Sequence, residues 1–85
     1  MTRAIRGPEA EEFGRRVRYH RERLGVSQMV LADAAGLHFT YVSSVERGRR
    51  NVTLPSVLRL AGALGIDPGT LIEGMPIPEG VHPLG

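Results

Sequence analysis

Four glycines, Gly25, Gly36, Gly48 and Gly65, punctuate the middle of this chain, and each closes a stretch whose apolar residues recur at helical spacing. Ahead of Gly25, the residues Phe13, Val17, His20 and Leu24 fall on one face. Pro8 suits a first turn, where its missing N–H costs nothing, and Glu9, Glu11 and Glu12 suit the positive end of the dipole. A first helix is expected over 8–24. Ser27 is a good N-cap, and Val30, Leu31, Ala34 and Ala35 follow it, which places a second helix over 28–35. Leu37 comes next and His38 is a weak cap. Val42 and Val45 then share a face before Gly48, in a third helix over 39–47. Thr53 caps a fourth helix with Pro55 in its first turn, and Leu54, Val57, Leu60, Ala61 and Leu64 form its apolar stripe. Asp67 and Pro68 open a fifth over 68–73, with Leu71 and Ile72 on its apolar side. Five short helices with tight connections make an all-α bundle.

The domain so defined spans 8–73. Residues 1–7 read as a short basic arm, and the loop 48–53 is basic and polar. Residues 74–85 hold three glycines and three prolines, which excludes a regular helix or central strand. This tail is expected to be mobile by itself, with Met75, Ile77, Val81 and Leu84 as docking points. A domain this small buries only about 60% of the surface of its unfolded chain, so a dimer interface would help it. With no cysteine, neither disulfides nor thiolate-bound metals hold it together. No apolar run approaches the roughly 20 residues of a membrane span, and the first residues lack the apolar core of a signal peptide. A cytoplasmic protein is expected.

The net charge of +2 hides an uneven distribution. From Phe13 to Asn51 there are eight arginines against three acids, Glu22, Asp33 and Glu46; from Val52 onward Arg59 faces Asp67, Glu73 and Glu79. A basic front and an acidic back point to a polyanion on one face. Enzyme chemistry finds no support. There is no phosphate-binding glycine loop and no helical zinc motif. His20, His38 and His82 are scattered, and no nucleophile has a base at a recognisable spacing. No metal, cofactor or small-molecule ligand is expected.

The decisive segment is Ser27 to Gly48, SQMVLADAAGLHFTYVSSVERG. Two short helices meet at a turn opened by Gly36, the pattern of a helix-turn-helix. Ala32 and Ala35 are small enough to let the third helix cross closely, and Leu31, Leu37, Val42 and Val45 are spaced to fill the core between them. From Phe13 to Ile72 the sequence resembles the lambda-repressor/Cro-like (XRE-type) helix-turn-helix regulators. The resemblance rests on Phe-Gly-x-Arg-Val-Arg in the first helix, Gly25-Val-Ser-Gln28, Leu31-Ala32, Ala35-Gly36-Leu37, and Tyr41-Val-Ser-x-Val-Glu-Arg-Gly48. Arg50-Asn51, Leu54 to Leu64 and Gly65-Ile66 also match.

The resemblance implies a five-helix DNA-binding domain whose third helix enters the major groove of double-stranded DNA. Phe39, Thr40, Ser43 and Ser44 stand at the base-reading positions. Thr40 and the serines can hydrogen-bond to several bases, whereas Phe39 is left to meet a thymine methyl or to pack against the protein. Gln28, Tyr41, Arg47, Arg49, Arg50 and Asn51 fall where phosphate is held. Arg21 and Glu46 fall where the family keeps a partly buried ion pair. Arg16 and Arg18 read as a solvated face.

Three departures stand out. His20 replaces a large aliphatic residue and reads as a neutral core histidine. Met29 and Val30 replace polar residues, as a partner surface or as tolerated apolar residues. Gly62 interrupts the fourth helix, which close approach of another helix would explain. One recognition helix covers few base pairs, so a homodimer on an inverted repeat is expected, joined through Leu58, Gly62, Leu71 and Ile72. Such a protein would occlude a promoter or touch RNA polymerase. Its length fits an autoregulated restriction-modification controller. An antitoxin partnered by a toxin, or a protein-interaction module on the same fold, are the alternatives.

Overall fold

In the computed structural model, which describes residues 7–85, the helices are α1 (Pro8–Leu24), α2 (Gln28–Ala35), α3 (Phe39–Glu46), α4 (Leu54–Leu64) and α5 (Pro68–Ile72). The basic arm expected over 1–7 lies outside the described residues except for Gly7. No strand occurs among the described residues, and 74–85 contain no helix. Local chemistry accounts for the boundaries. Pro8 begins α1, Glu9 and Glu11 occupy its first turn, and Arg21 and Arg23 its last. Ser27 Oγ accepts the N–H of Val30 at 3.1 Å, Thr53 Oγ1 that of Ser56 at 3.3 Å, and Asp67 Oδ2 that of Gly69 at 2.9 Å.

Four helix ends repeat one device. Gly25, Gly36, Gly48 and Gly65 adopt the left-handed conformation, and the N–H of the next residue reaches back to a carbonyl of the last turn. Two of those next residues, Leu37 and Ile66, pack on the core.

The core takes Phe13 and Val17 from α1, Leu31, Ala32 and Ala35 from α2, and Val42 and Val45 from α3. It is completed by Val57, Leu60, Ala61 and Leu64 of α4 and Leu71 of α5. Several sequence-based expectations need correction. His20 is only half-buried, with its ring edge-on to Tyr19, so it is not a core histidine. Leu24, Ala34 and Leu54 are exposed. A uniform helical period carries a stripe to both ends of a helix, whereas neighbouring helices cover only its middle. In α2 it is Ala32, not Ala34 or Val30, that turns inward. Arg16 is not merely solvated: it pairs with Glu12 at 2.7 Å, and its Nη1 donates to the Thr70 carbonyl at 3.4 Å, joining α1 to α5.

A glycine in the interior of α1 turns out to set how α1 and α3 meet. A Cβ on Gly14 would collide with the Val45 carbonyl oxygen and lie 2.9 Å from that of Glu46. Both obstacles are backbone, so only separation of the helices would relieve the clash. Gly62 is the contrasting case: nothing lies within 4 Å of its missing Cβ, so no helix of the same chain explains it. Gly14→Ala should therefore cost about 1–3 kcal/mol by overpacking. Gly62→Ala should gain about 0.5–1 kcal/mol from helix propensity. Urea denaturation of the two variants beside the parent checks the opposite signs.

Candidate nucleic-acid interface

The recognition helix is anchored through one buried carboxylate. Glu46, at the end of α3, keeps its side chain 2% exposed. It receives Arg21 Nε at 2.6 Å and Nη2 at 2.9 Å in a two-pronged pair, and Gln28 Nε2 at 2.9 Å. Arg21 also donates through Nη1 to the Val26 carbonyl at 2.8 Å. The hydrogen bonds to Glu46 hold the Arg21 guanidinium above its ordinary pKa against the opposing effect of burial, with the charges of Glu46 and Glu22 adding to the rise. One carboxylate thus joins α1, the start of α2 and the end of α3. The pair between Arg21 and Glu46 is the one the sequence led us to expect.

The link from Gln28 to Glu46 was not expected. It spans 18 residues and has no local sequence signal. It places a half-buried amide at the start of α2, where a phosphate contact is anticipated. A primary amide carries two N–H donors, so one remains after Glu46 has taken the other. Ser27 caps the N–H of Val30, and the earlier N–H groups of that turn have no intrahelical partner.

On α3, Val42 and Val45 are buried and fix the opposite side as the outward one. Thr40 is exposed there, and Phe39, one turn ahead of Val42 at the start of the helix, is 44% exposed, while Ser43 and Ser44 are half-buried. Packing against the protein does not hide the Phe39 ring. Of the candidate base readers, Thr40 and Phe39 are therefore the most accessible, and the serines lie deeper.

Ion pairing sorts the arginines. On α1, Arg15 and Arg16 pair with Glu12, Arg18 with Glu22 and Arg21 with Glu46. Arg23 donates to the Tyr19 hydroxyl at 3.0 Å. Arg47, Arg49 and Arg50, which follow α3 directly, are exposed and form no ion pair among the described residues. Arg50 lies over the ring of Tyr41 at 5.4 Å, and Asn51 is exposed beside it. Arg23 on α1 and Arg59 on α4 also lack a carboxylate partner, but three of the five such arginines among the described residues stand together just beyond the recognition helix.

The dimer face anticipated from sequence needs one correction. Leu71 is 0% exposed and belongs to the core, because five residues of α5 can turn only one of their two large apolar side chains inward. Ile72, Leu58 and Leu54 point outward instead, and Gly62 opens onto free space. A groove of about 340 Å³ runs beside them, lined by Val52, Leu54, Ile72 and Met75 among others. Among the described residues no group of His, Asp or Glu is arranged to hold a metal ion, and no helix is long and apolar enough to cross a membrane.

Two short helices about a glycine turn, an outward polar stripe on the second, and unpaired arginines at its end define a DNA-binding helix-turn-helix regulator. The chain belongs to the helix-turn-helix domain family, whose description matches residues 12–73, and within it to the XRE-type, lambda-repressor-like transcriptional regulators. It is 42% identical over 62 residues to the control protein C.BamHI of Bacillus amyloliquefaciens, covering 72% of this chain and 76% of that protein. Its fold matches the restriction-modification controller protein C.AhdI of Aeromonas hydrophila with a TM-score of 0.73 and 48% identity, over 74% of this chain and 96% of that one. It also matches the P22 c2 repressor, solved in complex with a synthetic operator, with a TM-score of 0.67 and 29% identity, over 73% and 94% of the two chains.

Glu46→Ala would leave the Arg21 guanidinium partly buried without its carboxylate. Loss of one partner of such a pair costs about 3–5 kcal/mol, and equilibrium denaturation of Glu46→Ala and Arg21→Ala should show losses of that order. The double variant should lose less than the sum of the two.

Proposed function

We propose that this chain is a non-catalytic, cytoplasmic transcriptional regulator that binds an inverted-repeat operator as a homodimer and controls its own synthesis, in the manner of restriction-modification controllers. The observation that carries the reading is the pairing of an exposed Thr40 and Phe39 on α3 with three arginines that have no carboxylate beside them. Thr40 and Phe39 would meet base edges, with Ser43 and Ser44 behind them, while Gln28, Tyr41, Arg47, Arg49, Arg50 and Asn51 would hold phosphate. The likeness to C.BamHI and C.AhdI supports the controller role. The outward apolar set Leu54, Leu58 and Ile72 supports a second copy as its cover. A bound dimer would then occlude a promoter or touch RNA polymerase. Exposure of Met29 and Val30 on α2 favours, as a second reading, a protein partner such as a toxin that binds while the chain represses its own operon. Recovery of a stable complex with the neighbouring gene's product would support it.

The first test is selection from a randomised duplex library at two salt concentrations. An enriched inverted repeat with half-site centres about 10 bp or a multiple apart supports the proposal; binding without sequence preference overturns it. Against the selected operator, Arg49→Ala and Arg50→Ala should each lower the salt slope by about 0.9. Thr40→Ala should change which half-site is preferred. Ile72→Asp should yield monomers by light scattering.

A further inference from the structure

Arg59 is the single arginine from Val52 to the end of the chain. It lies on the solvent side of α4. Its Nη1 donates to the carbonyl oxygen of Ala35 at 3.2 Å. Ala35 is the last residue of α2, and a helix leaves its final carbonyls without intrahelical partners. The turn that follows uses only earlier ones: Gly36 N–H bonds the Asp33 carbonyl at 3.2 Å and Leu37 N–H that of Ala32 at 2.9 Å. The Ala35 carbonyl falls to Arg59. There is no basic residue in the last turn of α2, so Arg59 brings from another helix the cation that suits the negative end of its dipole.

The same guanidinium rests over Gly36. A Cβ at Gly36 would lie 2.7 Å from Arg59 Nη1, so the space a side chain would fill is held by the arginine. Gly36 has a φ of +69° and opens the connection that determines how α3 leaves α2. Behind it, Leu37 packs on the core. The connection 36–38 is thus held on one side by an apolar anchor and on the other by a cation from α4.

We propose that Arg59 is a positioning residue for the recognition helix: by binding the Ala35 carbonyl and covering Gly36 it fixes the turn that aims α3, without itself touching DNA. Its DNA-binding consequence rests on the operator-reading function proposed above; its effect on the turn does not.

The test uses the full chain with Arg59→Met, which keeps the stem and removes the charge, and Arg59→Lys, which keeps a cation. By NMR hydrogen exchange, the Met variant should exchange the Gly36 and Leu37 amides about tenfold faster, the order set by losing one hydrogen bond to a charged group. Amides of α1 should not change, and the Lys variant should recover much of the protection. On a selected operator, the Met variant should bind about tenfold more weakly. Its affinity for random duplex and its salt slope should stay at the parental values. Unchanged exchange at Gly36 and Leu37 overturns the proposal. So does equal acceleration in every helix, which would make Arg59 a general stabiliser, or a reduced salt slope, which would make it a phosphate contact. If the parent chain selects no operator, the exchange data still decide the role of Arg59, and that failure falls on the proposed function alone.

Discussion

The arrangement of this protein depends on the buried carboxylate of Glu46. The Arg21 guanidinium meets it with two donors and the Gln28 amide with a third, so α1, α2 and α3 converge on a single side chain. A charge removed from water is tolerated only when its lone pairs are satisfied, and the geometry that satisfies them is narrow. The value of the pair therefore lies less in net stability than in direction. It allows α3 one orientation against the rest of the bundle. Gly14 reinforces that choice from beneath, since the absence of its side chain lets α1 approach the backbone at the end of α3.

Charge is distributed to the same end. An excess of arginine over acid between Phe13 and Asn51 looks, in the sequence, like one broad basic surface. The fold divides it. Glu12, Glu22 and Glu46 engage the arginines of α1 that face them, and these contacts serve the helix and its attachments. The arginines just beyond α3 have no such neighbours among the described residues. Unpaired positive charge thereby stands beside the helix that carries Thr40 and Phe39, where a polyanion would be drawn.

Much of the helical layout was legible residue by residue because its signals are local. Ser27, Thr53 and Asp67 cap the helices they precede, Pro8 and Pro68 open theirs, and Gly25, Gly36 and Gly65 close theirs. Arg47 caps α3 rather than extending it. Burial was less legible. His20, Leu24 and Leu54 share the helical phase of the core, but His20 is only half covered and the two leucines are exposed, and Leu71 is central although it was expected at a subunit contact. Periodicity defines which face of a helix is apolar. Where that face stops being covered depends on other helices.

The amino-acid sequence by itself determined the helices, their order, the glycine turn between α2 and α3, and the family to which they belong, because caps, stops and motifs act over a few residues. Only the tertiary structure decided which arginines remain unpaired, that Gln28 joins Glu46, that Gly14 admits α3, and that Leu71 is core while Ile72 is surface. Each of these is a relation between residues from different helices, set by close packing and by the need to partner buried charge, and no local pattern encodes it.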